Sequence, residues 1–321
     1  MKGRIKQFVE KPKMVGNLIG LTVLIGLAVW CLLLGTAQVQ PELEKSSIPP
    51  LADEVGYITK GTEVYRGLEK SGIPPLADEV GYITERTEVY RGFVVDNVLH
   101  SANEGDIHYN VYIPESYDGS TSYALYFTLP GYEGLYFQGI AANIHMEAFG
   151  FEAQKYNDKM IIVASQLNDW VETSADQTIA LVEYFLQRYN IDSSKVYGNG
   201  YSGGGETMSI VMGKRPELFT AYLHVSSQWD GEYEPVVRQQ LPIYFAIGRN
   251  DEYYGSAPTQ EAYNTFYELY KQQELTKAEI DKLLVLDIKE KDYFTERNAP
   301  NEHGGGLFAY DEEIMGWLFS K

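Results

Sequence analysis

Hydrophobic positions along the chain fall into three regimes. Residues 14–34 are an almost unbroken apolar run, interrupted only by Asn17 and Thr22. Residues 38–92 are polar, with scattered prolines and many carboxylates. From residue 93 onward, short β-branched and aromatic runs alternate with stretches whose apolar residues recur at helical spacing.

Within the third regime, residues 93–99 and 107–113 predict strands joined by a turn at 103–106. Residues 123–129 and 160–164 are continuous apolar runs, as expected of strands buried on both faces. A helix is predicted between them, over 141–156. Further on, the pattern predicts helix 177–186 with Ser174 as its cap, strand 195–197, helix 206–212, and strands 221–225 and 242–247. Helix 258–272 follows, then a short helix opened by the capping-box spacing of Thr276 and Glu279, strand 284–288 and a closing helix over 312–319. An antiparallel start followed by this βαβ rhythm predicts an α/β domain over 93–321, a mainly parallel sheet flanked by helices. The short connection between 221–225 and 242–247 leaves no room for a large cap domain.

The run at 14–34 is long enough to cross the roughly 30 Å core of a bilayer as a helix. Lys2, Arg4, Lys6, Lys11 and Lys13 precede it, and this basic flank is expected to stay cytoplasmic. Residues 1–37 are therefore read as a basic stub and transmembrane anchor, with the membrane as its partner and the remainder extracytoplasmic. Gly35-Thr36-Ala37 also suits signal cleavage, and cleavage there would make the domain a secreted one. Cys31, the single cysteine, lies inside the apolar run, so the exported part has no disulfide and depends on its core. The net charge is −19 although the chain starts basic, so the body is more acidic still. Such a body repels phosphates, which excludes nucleic acid as a partner.

The 38–92 linker contains a tandem repeat. Residues 44–68 and 69–93 align without a gap and differ only at Ser47/Gly72, Lys60/Glu85, Gly61/Arg86 and Leu68/Phe93. Two copies are too few for a solenoid, so the first copy reads as a duplicated spacer.

Candidate chemistry centres on Gly200-Tyr201-Ser202-Gly203-Gly204, which fits the G-x-S-x-G nucleophile elbow between a β-prone and a helical stretch. A serine hydroxyl needs a base to take its proton and a third group to orient that base. Among the five histidines, His303 lies in a loop after the last predicted strand, whereas His224 sits mid-strand between Leu223 and Val225 and reads as a packed or surface imidazole. Asp251 follows strand 242–247 at the end where α/β sheets assemble their sites, with Glu252 as the fallback acid. His303-Gly304-Gly305-Gly306 spells a motif that builds oxyanion holes elsewhere, but it comes after the nucleophile and reads as the base followed by a hinge. The oxyanion donors expected instead are the backbone N–H of Tyr132, in the loop 129–134, and that of Gly203.

The order Ser202, Asp251, His303 resembles the α/β-hydrolase superfamily. The nearest likeness is to secreted esterases of the feruloyl esterase and polyhydroxyalkanoate depolymerase type and to the catalytic domains of prolyl oligopeptidase-like peptidases. That resemblance covers 93–321 and implies no metal and no organic cofactor. It departs from the family at Pro130-Gly131, where His-Gly is usual. The strand-end loops are aromatic, with Tyr132, Tyr136, Phe137, Trp170, Trp229, Tyr253 and Tyr254. Trp170, Trp229, Tyr253 and Tyr201 are the candidate substrate contacts, since aromatic faces stack on sugar rings or aryl acyl groups. These features point to a serine hydrolase of carboxylic esters, such as acylated carbohydrate or a related extracellular ester. The alternative is a serine peptidase, although the propeller that gates prolyl oligopeptidases has no counterpart in these residues.

Overall fold

The computed structural model describes residues 81–135, 142–146, 148–168 and 171–321. The apolar run 14–34 with Cys31, the first repeat copy 44–68, and Tyr136, Phe137 and Trp170 lie outside the described residues. Among the described residues, no helix is long and apolar enough to cross a membrane.

Among the described residues, ten strands form one sheet: β1 (Tyr82–Thr84), β2 (Val89–Tyr90), β3 (Phe93–Ser101), β4 (Gly105–Tyr112), β5 (Tyr123–Leu129), β6 (Met160–Gln166), β7 (Ile191–Tyr201), β8 (Ala221–Val225), β9 (Ile243–Gly248) and β10 (Leu284–Lys289). Their order is β1-β3-β4-β6-β5-β7-β8-β9-β10, with β2 paired to β3. Pairing is antiparallel from β1 through β6 and parallel from β6 to β10. The expected α/β-hydrolase architecture is thus present, with a mixed sheet whose longer part is parallel.

Alternation along the strands builds two cores. Leu125, Phe127 and Leu129 of β5 join Leu181, Phe185, Val211, Phe245 and Phe266 on one face, under helices Glu172–Arg188, Gly203–Lys214 and Ala257–Gln272. Ala124 and Tyr126 join Ile162, Leu223, Phe308, Ile314 and Leu318 on the other, under helix Glu312–Phe319. Every residue of β5 is buried, which is why that strand reads as a continuous apolar run.

Three local expectations need correction. Residues 141–156 do not form one helix but two short ones, Ala142–Met146 and Phe149–Ala153. The Asn143 side chain is bound to the carbonyls of Ala164 and Ser165 on β6, while Phe149, Gly150 and Phe151 are buried in succession. One continuous helix, with its single apolar stripe, does not meet both demands. Ser174 is not a cap, because the helix begins at Glu172 and Ser174 is buried within its first turns. Finally, the sheet takes in β1 and β2, which fall inside the 38–92 segment read as linker. Tyr82 stacks on His100 and the Thr84 hydroxyl meets His100 Nε2 at 2.7 Å, so the second repeat copy edges the sheet.

Since β1 and β2 come from the second copy, deleting residues 44–68 should leave the domain's melting temperature within a few degrees of the full chain. Thermal unfolding of the two forms checks this. A fall of about 10 °C or more, worth several kcal/mol in a domain of this size, would show that the first copy is structural.

Candidate active site

β7 runs into helix Gly203–Lys214 through a single residue, Ser202, at φ 54° and ψ −126°. A serine held there carries backbone strain of about 1–3 kcal/mol, which the surroundings must over-determine. They do so with four hydrogen bonds. Ser202 N–H donates to the Val225 carbonyl at 3.0 Å, and the Ser202 carbonyl accepts from Gly205 N–H at 2.7 Å, Glu206 N–H at 3.2 Å and Ser227 Oγ at 2.7 Å. Glycines make the turn possible. A Cβ on Gly200 would lie 2.4 Å from the Gly204 carbonyl oxygen, and one on Gly204 would lie 2.3 Å from that of Pro130. Both obstacles are backbone, so neither can step aside.

Asp251 follows β9 and His303 follows β10, so both stand with Ser202 at the C-terminal ends of parallel strands. Ser202 Oγ lies 3.0 Å from His303 Nε2, and His303 Nδ1 lies 2.6 Å from Asp251 Oδ2. With Nδ1–H donating to the carboxylate, Nε2 is left to accept the serine proton. The second Asp251 oxygen accepts the backbone N–H groups of Tyr253 and Tyr254, each at 3.0 Å. Asp251 and His303 are 5% and 7% exposed, so this chain of bonds is shielded from competing water.

The His303 loop is fastened by contacts that sequence reasoning missed. Glu252, the fallback acid, does not face the imidazole: its carboxylate accepts the N–H groups of Glu302 at 3.0 Å and His303 at 2.9 Å. Glu302 reciprocates, accepting from Asn250 N–H at 2.8 Å and from the Asn250 side chain. Two carboxylates thus clasp the acid loop and the base loop together. The adjacency of Glu252 to Asp251 and of Glu302 to His303 was the only signal, and adjacency alone does not tell a clasp from a pair of solvated charges. Gly304 and Gly305 take positive φ and lead into a tight turn, Gly305–Tyr310, so the triple glycine shapes the exit of the base loop.

The predicted substrate contacts divide. Tyr253 is 74% exposed and packs its ring against His303, with centroids 4.6 Å apart, so it stands at the mouth of the site. Tyr201 is engaged otherwise: its hydroxyl donates to the His303 carbonyl at 3.3 Å and accepts from Gly305 N–H at 3.0 Å, which ties the elbow to the base loop. Burial pushes its phenol well above the usual range, keeping it protonated. Trp229 does not line a cleft. It is packed in the core against Tyr222, Phe245 and Phe266, with its indole N–H satisfied by the Gly231 carbonyl at 2.7 Å. The Tyr132 backbone nitrogen lies 3.5 Å from where a Cβ on Gly203 would sit, so the two expected oxyanion donors belong to neighbouring backbone at the serine. The described residues contain no group of His, Cys, Asp and Glu side chains able to hold a metal ion.

His224 is fully buried, with Nδ1 2.8 Å from the Tyr222 hydroxyl, so of the two readings of its mid-strand position the packed one holds.

Residues 165–286 match the prolyl oligopeptidase family, a span that takes in Ser202 and Asp251 and stops before His303. Among solved structures, a thermostable esterase superimposes with a TM-score of 0.58 at 18% identity, over 71% of this chain and 63% of the esterase. Oligopeptidase B from Leishmania major gives a TM-score of 0.48 at 14% identity, over 71% of this chain and 37% of that one. The feruloyl esterase module from Clostridium thermocellum gives 0.46 at 14% identity, over 75% and 89%. The chain thus spans less than two thirds of the first two of these proteins. No curated protein sequence matches it. The family match covers part of the chain, and the likeness to the thermostable esterase shows an α/β fold of the same kind.

Burial holds the His224 imidazole down to a pKa of about 3, against 6.5 for the free side chain, so it is neutral in the fold and charges on unfolding below pH 6.5. Its contribution to stability is complete above pH 6.5 and is lost as pH falls towards 3. Unfolding free energies at pH 7 and pH 5 should therefore fall further in wild type than in His224→Gln, by about 2 kcal/mol, the product of some 1.4 kcal/mol per pH unit and the interval below pH 6.5. Equal losses in the two proteins would contradict this.

Proposed function

We propose that the protein hydrolyses carboxylic esters through an acyl-enzyme on Ser202. The observation that carries this reading is the unbroken path from the Ser202 hydroxyl through His303 to Asp251. Ser202 Oγ attacks the ester carbonyl as its proton passes to His303 Nε2. Asp251 keeps the imidazole in the tautomer that can accept and stabilises the imidazolium that results. The negative oxygen of the tetrahedral intermediate is received by the backbone N–H groups of Gly203 and Tyr132, each such donor being worth about 3 kcal/mol. His303 then protonates the leaving alcohol, and water repeats the sequence to free the acid.

Esters rather than peptides are favoured by the exposed Tyr253 beside His303 and by the fold shared with a thermostable esterase. An aromatic face at the mouth suits a sugar ring or an aryl acyl group, so acylated carbohydrate or a related extracellular ester is the substrate class. A serine peptidase is the second reading, favoured by the match to the prolyl oligopeptidase family. In this account residues 14–34 hold the enzyme at the membrane with the catalytic domain on the extracytoplasmic side.

Turnover of a nitrophenyl ester should exceed that of a peptide anilide by orders of magnitude, and the reverse order would make the protein a peptidase. Ser202→Ala and His303→Ala should each lower kcat by about 10⁴ or more, with the double variant little worse than either, because the residues act as one unit. Asp251→Asn should cost somewhat less. Additive losses, or abolition of turnover by His224→Ala but not by His303→Ala, would overturn the assignment.

A further inference from the structure

Among the described residues, three tyrosine rings border the imidazole of His303, and they differ in what is left for a substrate to touch. Tyr201 lies 5.0 Å away between ring centroids, and its hydroxyl is engaged by the His303 carbonyl and the Gly305 N–H. Tyr254 lies 6.0 Å away and is half-buried, with its hydroxyl donating to Glu206 Oε1 at 3.1 Å. Tyr253 is the nearest, at 4.6 Å, and it is the exposed one. Its backbone N–H donates to Asp251 Oδ1, so the loop that carries the acid also carries this ring. The Tyr253 ring therefore borders the base on one side and solvent on the other.

The shape of the tetrahedral intermediate decides which part of an ester reaches that ring. Its central carbon carries Ser202 Oγ, the negative oxygen, the alcohol oxygen and the acyl chain. The negative oxygen faces the backbone N–H groups of Gly203 and Tyr132. On collapse, the bond from carbon to the alcohol oxygen breaks and the electron pair of the negative oxygen restores the carbonyl. His303 Nε2 gives its proton to the departing oxygen, which must therefore stand within about 3 Å of Nε2. The acyl chain takes the remaining corner of the tetrahedron, away from the imidazole. A ring carried on the alcohol meets Tyr253, and a ring carried on the acyl group does not.

We propose that Tyr253 recognises the alcohol half of the ester, and that the preferred substrate carries a sugar ring there. Resting on the proposed roles of Ser202 and His303, this assignment puts selectivity in the alcohol rather than in the acyl group. A pyranose offers a face of C–H groups that packs on an aromatic ring, while its hydroxyls stay in water beside the exposed tyrosine. The timing of the contact follows as well. The alcohol departs as the acyl-enzyme forms, so Tyr253 assists acylation, and the acyl-enzyme is hydrolysed after the group it binds has left.

The test uses an acetylated methyl glucoside, nitrophenyl acetate and ethyl acetate, which share an acyl group, and methyl cinnamate, whose ring is on the acyl side. For each ester, the ratio of kcat/KM in wild type to that in Tyr253→Ala cancels the ester's own reactivity. That ratio should be about tenfold larger for the acetylated glucoside than for ethyl acetate or methyl cinnamate, the loss expected of one ring contact. Tyr253→Phe, which keeps the ring, should recover most of it. In burst experiments with nitrophenyl acetate, Tyr253→Ala should slow acylation more than hydrolysis of the acyl-enzyme, whereas a purely structural role slows both alike. A ratio larger for nitrophenyl acetate than for the glucoside would overturn the sugar assignment. Equal ratios for all four esters, or the largest for methyl cinnamate, would overturn the inference as a whole. Ser202→Ala measured alongside separates the two levels: if it is inactive while Tyr253→Ala shows no such pattern, the alcohol assignment falls and the proposed function stands. If Ser202→Ala stays active, both fall.

Discussion

The constraint on which the rest depends is the reversal of β7 into its helix across one residue. Strand and helix can approach so closely only where side chains are missing, and a Cβ on Gly200, Gly204 or Gly205 would lie within 2.6 Å of neighbouring atoms. The reversal also forces Ser202 to φ 54°, a conformation few serines adopt. Strain of that kind persists only when neighbours hold it, and Val225 and Ser227, at the end of β8, supply two of the four restraining bonds. The elbow is thus a product of sheet order. β8 must lie beside β7, and β5 with the loop that follows it on its other side.

Given the elbow, the remaining question is how two long loops from β9 and β10 meet over it to within hydrogen-bonding distance. Burial of Asp251 and His303 makes their bond strong, but it does not bring the loops together. The clasp of Glu252 and Glu302 does, because each carboxylate is satisfied by N–H groups of the opposite loop. Tyr201 adds a tie from the strand itself. In a chain of net charge −19, carboxylates are cheap to place on the surface and costly to bury. Those buried near the site, Asp251, Glu302 and Glu206, each accept hydrogen bonds from defined donors.

Much of this was legible in the sequence, and what was not has physical reasons. Strands such as Tyr123–Leu129 announce themselves because parallel strands buried on both faces must be apolar throughout. Ser202, Asp251 and His303 were legible because the elbow pattern and the ends of strands are local features. Trp229 was misread because an aromatic residue in a strand-end loop looks the same whether it faces the site or packs beneath it. The helix at 141–156 was misread because the break depends on Asn143 reaching β6, a contact no local pattern encodes. Tyr254 and Glu206 lie 48 positions apart, and only the folded chain brings them together.

The central claim is that Ser202 is a nucleophile activated by His303. The most direct test is reaction of the protein with a fluorophosphonate, followed by mass spectrometry of the peptides. The account predicts one adduct, on Ser202, formed rapidly in wild type and at least about a thousandfold more slowly in His303→Ala, since the serine is then without its base. An adduct on any other residue, or equally fast labelling of Ser202 without the imidazole, would contradict it.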